Sequence, residues 1–152
     1  MKFKPLLPAM LTCVLLTLPA SAQTAAPTVG YVKIVTGEAW VTSAGQNMRA
    51  VPGTPVLLGS QLKTLAKSSL GVTFKDNTLM SFGPDTELTV DDYLYAPAQD
   101  QLKLGVRLSK GSLNYISGVI ARLKPDAVRV ATPTGIIGVR GTQFVVQVED
   151  KP

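Results

Sequence analysis

Asp91 and Asp92, preceded closely by Asp85 and Glu87, are the densest carboxylates in the sequence and the natural candidates for acid–base chemistry. Two carboxylates act on one substrate only when they converge on it. Side chains alternate across a strand, so adjacent aspartates diverge unless a turn carries them. A solvated strand end is the plainer expectation. The segment also lacks the ordered oxygen spacing of a calcium loop, and whether Asp91 and Asp92 hold a cation stays open. There is no His, and the one Cys, Cys13, lies in a segment expected to be removed. Ser–His and Cys–His nucleophile pairs therefore cannot be assembled, and zinc loses its two main ligand types. Gly135 to Thr142 is rich in glycine but has no Lys-Ser/Thr ending and runs into a strand pattern, so no helix N-terminus faces a phosphate. An enzyme is not expected, and no cofactor or metal ligand is assigned.

The remaining side chains of interest recognise rather than react. Arg140 sits between Gly138 and Gly141 and offers five donors to a carboxylate or a cluster of carbonyls. It is expected to be largely structural, paired with Asp85 or Glu87, with contact to a ligand as the lesser alternative. Tyr93 and Tyr95 share a strand face by spacing and are candidates to stack on sugars or anchor a partner, although packing is the default. Trp40 is expected to fill core or inter-strand space.

Positioning these residues falls to short strands. Met1 to Ala22 reads as a cleavable export signal: Lys2 and Lys4, an apolar run from Leu6 to Leu18, then Ala20-Ser21-Ala22, with cleavage expected after Ala22. Pro5, Pro8 and Pro19 interrupt the run, which is too short for a membrane span, and Thr12 before Cys13 disfavours a lipidated cysteine. What remains, 152 − 22 = 130 residues, suits one domain without disulfides, expected in the periplasm or outside the cell. A leader at residues 23–28 precedes a β domain at 29–149. Two of the 15 basic residues fall in the signal, leaving 13 − 10 = +3, scattered and without interleaved aromatics. Nucleic acid is therefore not an expected partner.

Leu102, Leu104, Val106 and Leu108 alternate with Lys103, Gly105 and Arg107; Leu70, Val72 and Phe74, then Phe144, Val146 and Val148, alternate likewise. A period of two marks strands with one buried face. Turns are expected at Ala44-Gly45-Gln46-Asn47, Lys75-Asp76-Asn77, Gly83-Pro84-Asp85, Ser109-Lys110-Gly111 and Thr132-Pro133-Thr134-Gly135. Ile116 to Leu123 fits either a strand or two turns of helix. Leu70-Gly71-Val72 is echoed by Leu104-Gly105-Val106 and by Ile137-Gly138-Val139, which stacked β coils would explain by close backbone approach at each glycine; unrelated strand-turn-strand units would explain it equally well.

Val130 to Val146 carries Thr132, Pro133, Gly138, Val139, Arg140, Gly141, Thr142 and Phe144 in an order that resembles the closing motif of the FecR domain family, roughly V-x-T-P-x-A-x-x-G-V-R-G-T-x-F-x-V. Gly37 to Val41, Val51 to Val56, Leu58 to Thr64, Val72 to Leu79 and Leu108 to Leu113 are similar to upstream segments of the same family. The likeness spans about Val29 to Val148. Gly59-Ser60 stands where the family commonly has Gly-Asp, and Asp76-Asn77-Thr78 where it has Asp-Gly-Ser. The resemblance implies an all-β domain, layered or solenoid-like, with little or no helix outside the signal, acting by contact with other proteins. Family members that regulate sigma factors pair the domain with a cytoplasmic segment and a membrane helix; neither is expected here. The expected function is an exported, non-catalytic interaction or scaffold domain of the bacterial envelope, with a signalling connection implied by the family and another envelope protein as partner. Binding of cell-wall or surface polysaccharide is the alternative.

Overall fold

The computed structural model describes residues 24–150, together with Lys4 and Ala22. The rest of the expected export signal lies outside the described residues. In chain order the elements are β1 (Thr28–Thr36), β2 (Ala39–Ser43), β3 (Gln46–Arg49), β4 (Pro55–Leu57), β5 (Gln61–Thr64), β6 (Ser69–Phe74), β7 (Leu79–Phe82), β8 (Glu87–Ala96), β9 (Gln101–Ile116), α1 (Val119–Leu123), β10 (Val128–Thr132), β11 (Gly135–Gly138) and β12 (Gln143–Val148). The protein is all-β: one curled sheet runs β3-β2-β5-β8-β9-β7-β6-β1-β4, and β10 to β12 are added beyond β9. No helix among the described residues is long and apolar enough to cross a membrane.

Two-residue loops make the tight reversals. Ala44 and Gly45 both take positive φ, 49° and 77°, between Ser43 and Gln46, which matches the twist of the flanking strands. Asn77 and Asp85 take positive φ in their own turns, and Pro133-Thr134 closes β10 onto β11. Ile116–Leu123 resolves into the end of β9, a corner at Ser117-Gly118, and the short α1.

Ser109-Lys110-Gly111 is not a reversal, which corrects the expectation of a turn. β9 continues through it for 16 residues, and the buried positions change phase from Leu102, Leu104, Val106 and Leu108 to Leu113 and Tyr115. Gly111 makes this possible: it takes φ +87°, and a side chain there would run into Thr86. A turn signature inside a longer ladder is thus used as a bend. Through it β9 belongs to both layers of the curled sheet, pairing with β8 and β10 in its first half and with β7 and β12 in its second.

Gly71 and Gly105 do occupy equivalent places. Each faces a register shift in the neighbouring strand, between Val32 and Ile34 for Gly71 and between Val90 and Asp92 for Gly105. A Cβ would come within 2.6 Å of Ile34 Cγ2 in the first and 2.9 Å of Asp92 Oδ2 in the second. For these two the echo is a repeated bulge contact, whereas Gly138 in the third fragment faces open space. Stacked coils would pair in parallel, and β9–β10 is the one parallel ladder among the described residues.

The core is a single cluster in which Val32, Val41, Val56, Leu88, Val90, Leu104, Leu108, Leu113, Tyr115 and Val130 are fully buried. Trp40 is not among them, so of its two expected places, core or inter-strand space, it does not take the core. Period-two alternation turns Ala39 and Val41 inward and leaves Trp40 half-buried on the outer face, in register with Arg49 on one side and Lys63 on the other.

Candidate interaction site at the open seam

Beyond β9 the two layers part. β10 pairs with β9 up to Arg107 and carries β11, whereas β12 begins its pairing at Gly111, so nothing among the described residues bridges β11 to β12. The gap is a groove of about 670 Å³ with Ser109 at the bend, Pro133, Ile136 and Ile137 on one wall and Val146 and Val148 on the other. Ile137, Phe144, Val146 and Val148 pack on the core yet remain only half-buried, and Ile136 on the β11 edge is 69% exposed.

The closing motif builds this seam. Thr132 holds the β10–β11 turn by donating from its hydroxyl to the Gly135 carbonyl at 3.0 Å, next to Pro133. Gly138 lies opposite Arg129 in the ladder, and Val139 is buried and anchors the exit from β11. Gly141 and Thr142 are tied down by Ser117: its hydroxyl donates to the Gly141 carbonyl at 2.6 Å and its amide to the Thr142 carbonyl at 2.8 Å. Phe144 then lies on Tyr115, ring centroids 4.8 Å apart. Tyr115 is fully buried, its hydroxyl has no hydrogen-bond partner, and burial pushes its titration above the usual tyrosine range.

Arg140 does not pair with Asp85 or Glu87, contrary to expectation. Glu87 is taken by Lys63 at 3.0 Å, and Arg140 is exposed, bordering a second hollow of about 470 Å³ with Arg129 and Asp126. The expectation failed because β5, not the closing motif, neighbours β8 at Glu87. Asp91 and Asp92 do not diverge as simple alternation predicts: the register shift between Val90 and Asp92 turns both to the outward face of β9, where Asp91 meets Arg107 at 2.9 Å and Asp92 meets Lys103 at 3.0 Å, so each is held by its own cation. No group of three metal-ligating side chains occurs among the described residues.

Tyr93 points its hydroxyl inward. It accepts from the Asp76 amide at 2.9 Å, donates to Asp76 Oδ1 at 3.1 Å, and its ring stacks on Phe74 at 5.6 Å. Burial first, and the Asp76 charge second, push Tyr93 well above the usual tyrosine range. Tyr95 is half-buried and packs against the core. Asp76 itself escaped sequence reasoning, which read it as a turn residue. It is fully buried; Oδ2 accepts from the Thr78 hydroxyl at 2.7 Å and the Ile120 amide at 3.2 Å, and its carbonyl accepts from the Val119 amide at 2.7 Å. The available signal was an acidic residue followed two places later by Thr, the spacing of a side chain that bonds its own turn.

No curated protein and no solved structure matches the chain. A family model does: FecR, described as FecR protein, over residues 60–152, which is 93 of the 152 residues and includes β5 to β12, the bend in β9 and both walls of the seam. The chain therefore belongs to the FecR protein family.

Proposed function

We propose that this protein is an exported, non-catalytic interaction module of the bacterial envelope, periplasmic or secreted, which recognises another envelope protein by taking an extended segment of it onto the free edge of β11. Family membership gives the coarser statement, a signalling-related regulatory domain rather than an enzyme. One observation supports the finer reading: the inward-facing side chains of β11 and β12 belong to the core but are half-covered, because a groove separates the two strands. A strand entering the seam would extend the β11 ladder and bury Ile137, Phe144, Val146 and Val148. Finishing the burial of four half-covered apolar side chains contributes about 3–6 kcal/mol before the cost of ordering the partner. Addition of a strand to an exposed edge is an established mode of peptide recognition.

The test compares the wild-type chain with Ile136→Lys, which sets a charge on the exposed edge and leaves the core untouched. Capture from envelope extracts should yield a discrete protein that the variant loses, and hydrogen exchange of the captured complex should protect the amides of Gly135 to Gly138. Sedimentation with purified cell-wall glycan to the same extent by both chains, without such protection, would move the assignment to polysaccharide binding.

A further inference from the structure

The residues beside β11 say what kind of segment fits it. The edge itself, Gly135-Ile136-Ile137-Gly138, carries no charge and no proline, the usual means of blunting an exposed strand. Arg129 lies opposite Gly138 and points outward, since Val128 and Val130 on either side of it are buried. A side chain built at Gly138 would meet nothing within 4 Å, so the way from Arg129 to the free edge is uncovered. Arg140 borders the same hollow. Neither arginine has an ion-pair partner among the described residues, and the two lie together beside the edge. Asp126, the one acid in the hollow, leaves it with a surplus of one positive charge.

The geometry points to a partner segment that is extended, apolar toward the groove, and acidic at the outward position opposite Gly138. This rests on the strand-addition reading above. Adjacent strands lie about 4.8 Å apart, so that position is about 10 Å from the Arg129 backbone, within the combined reach of an Arg and a Glu side chain across a bare glycine. Arg takes a carboxylate through two parallel N–H bonds. A second copy of this chain offers no acid there, because antiparallel β11–β11 pairing sets the copy's own Gly135 opposite Gly138.

The experiment titrates the full chain, by fluorescence anisotropy at low salt, with three short peptides that alternate Val and Thr and carry Glu, Gln or Lys at one central outward position. Glu should bind tightest and Lys weakest across about a tenfold span, the size two exposed charge contacts give, and the span should shrink at about 0.5 M salt. Arg129→Glu, an exposed position whose folding the melting temperature verifies, should reverse the order, and Arg140→Glu should do the same as an independent variant. Equal binding of all three peptides, unmoved by either substitution, overturns the acidic preference and leaves strand addition standing. Binding by none of them overturns both. A dimer of the chain in sedimentation, dissolved by Ile136→Lys, assigns the edge to a second copy and overturns the proposal as well.

Discussion

Replacing Asp76 with Ala should be among the most damaging single changes to this fold. The carboxylate is fully buried and meets four donors: the Tyr93 hydroxyl at 3.1 Å, the Thr78 hydroxyl at 2.7 Å, the Ile120 amide at 3.2 Å and, at a longer 3.4 Å, the Thr78 amide. Truncation lets the two hydroxyls rotate, but the amides cannot turn away. Each buried donor left without a partner costs about 1–3 kcal/mol. Relief from holding a charge out of water offsets part of this, so the net loss should be about 3–5 kcal/mol, the range seen when one member of a buried charged network is removed. For a domain of this size the melting temperature should fall by about 10–15 °C. Asp76→Asn should lose about half as much, since its carbonyl can still accept from one side while its NH₂ opposes the Ile120 amide. Thermal and urea unfolding followed by circular dichroism at pH 7 reads both variants. An Ala variant within about 1 kcal/mol of wild type would show that the network contributes little and refute the reasoning.

Two further outcomes concern the tyrosines and the glycines of the sheet. Tyr93 and Tyr115 are both pushed upward from 10.0, so the unfolded chain gives up their protons first; stability is full below pH 10 and declines as pH rises above it. The decline should approach about 1.4 kcal/mol per pH unit for Tyr93, and Tyr93→Phe should remove that contribution; urea midpoints that stay flat from pH 9 to 12 would contradict it. Gly111→Ala should cost more than about 2 kcal/mol, because the residue takes φ +87° against Thr86, whereas Gly138→Ala, facing open space, should stay within about 0.5 kcal/mol. Equal urea midpoints for the two variants would rule out the bend as the reason for a glycine in β9.

Strand positions were legible wherever one side of the chain is buried and the other wet. Leu102 to Leu108 and Phe144 to Val148 show this, because period-two alternation is a direct consequence of the pleat. Ser109-Lys110-Gly111 was misread because a glycine with positive φ serves a hairpin and a bend equally well, and only the partners of β9 on both sides decide between them. Between the two places open to Trp40, size argues for the core while register argues against it, and register wins. Of the seam, the motif residues were visible but the gap they border was not, since β11 and β12 stay unjoined through the place where β9 bends, a contact between residues far apart in sequence. Arg140 followed suit, since nothing local tells an arginine that its expected partner is already held by Lys63.

The buried network and the open seam are parts of one arrangement. Asp76 receives the amides of Val119 and Ile120 and so fixes the corner that follows β9, while Gly118 leaves no room there for a side chain against Asp76 and Thr78. Ser117, the residue before that corner, holds both Gly141 and Thr142 and thereby sets where β12 starts. Loosening the corner should therefore free β12 ahead of the rest of the sheet. In Asp76→Asn, amide exchange in Gln143 to Val148 should speed up at temperatures where β2 and β5 remain protected, because an edge strand with half-covered side chains has the least to lose on opening. Uniform acceleration across every strand would instead mean that Asp76 supports the fold as a whole and has no special hold on the seam.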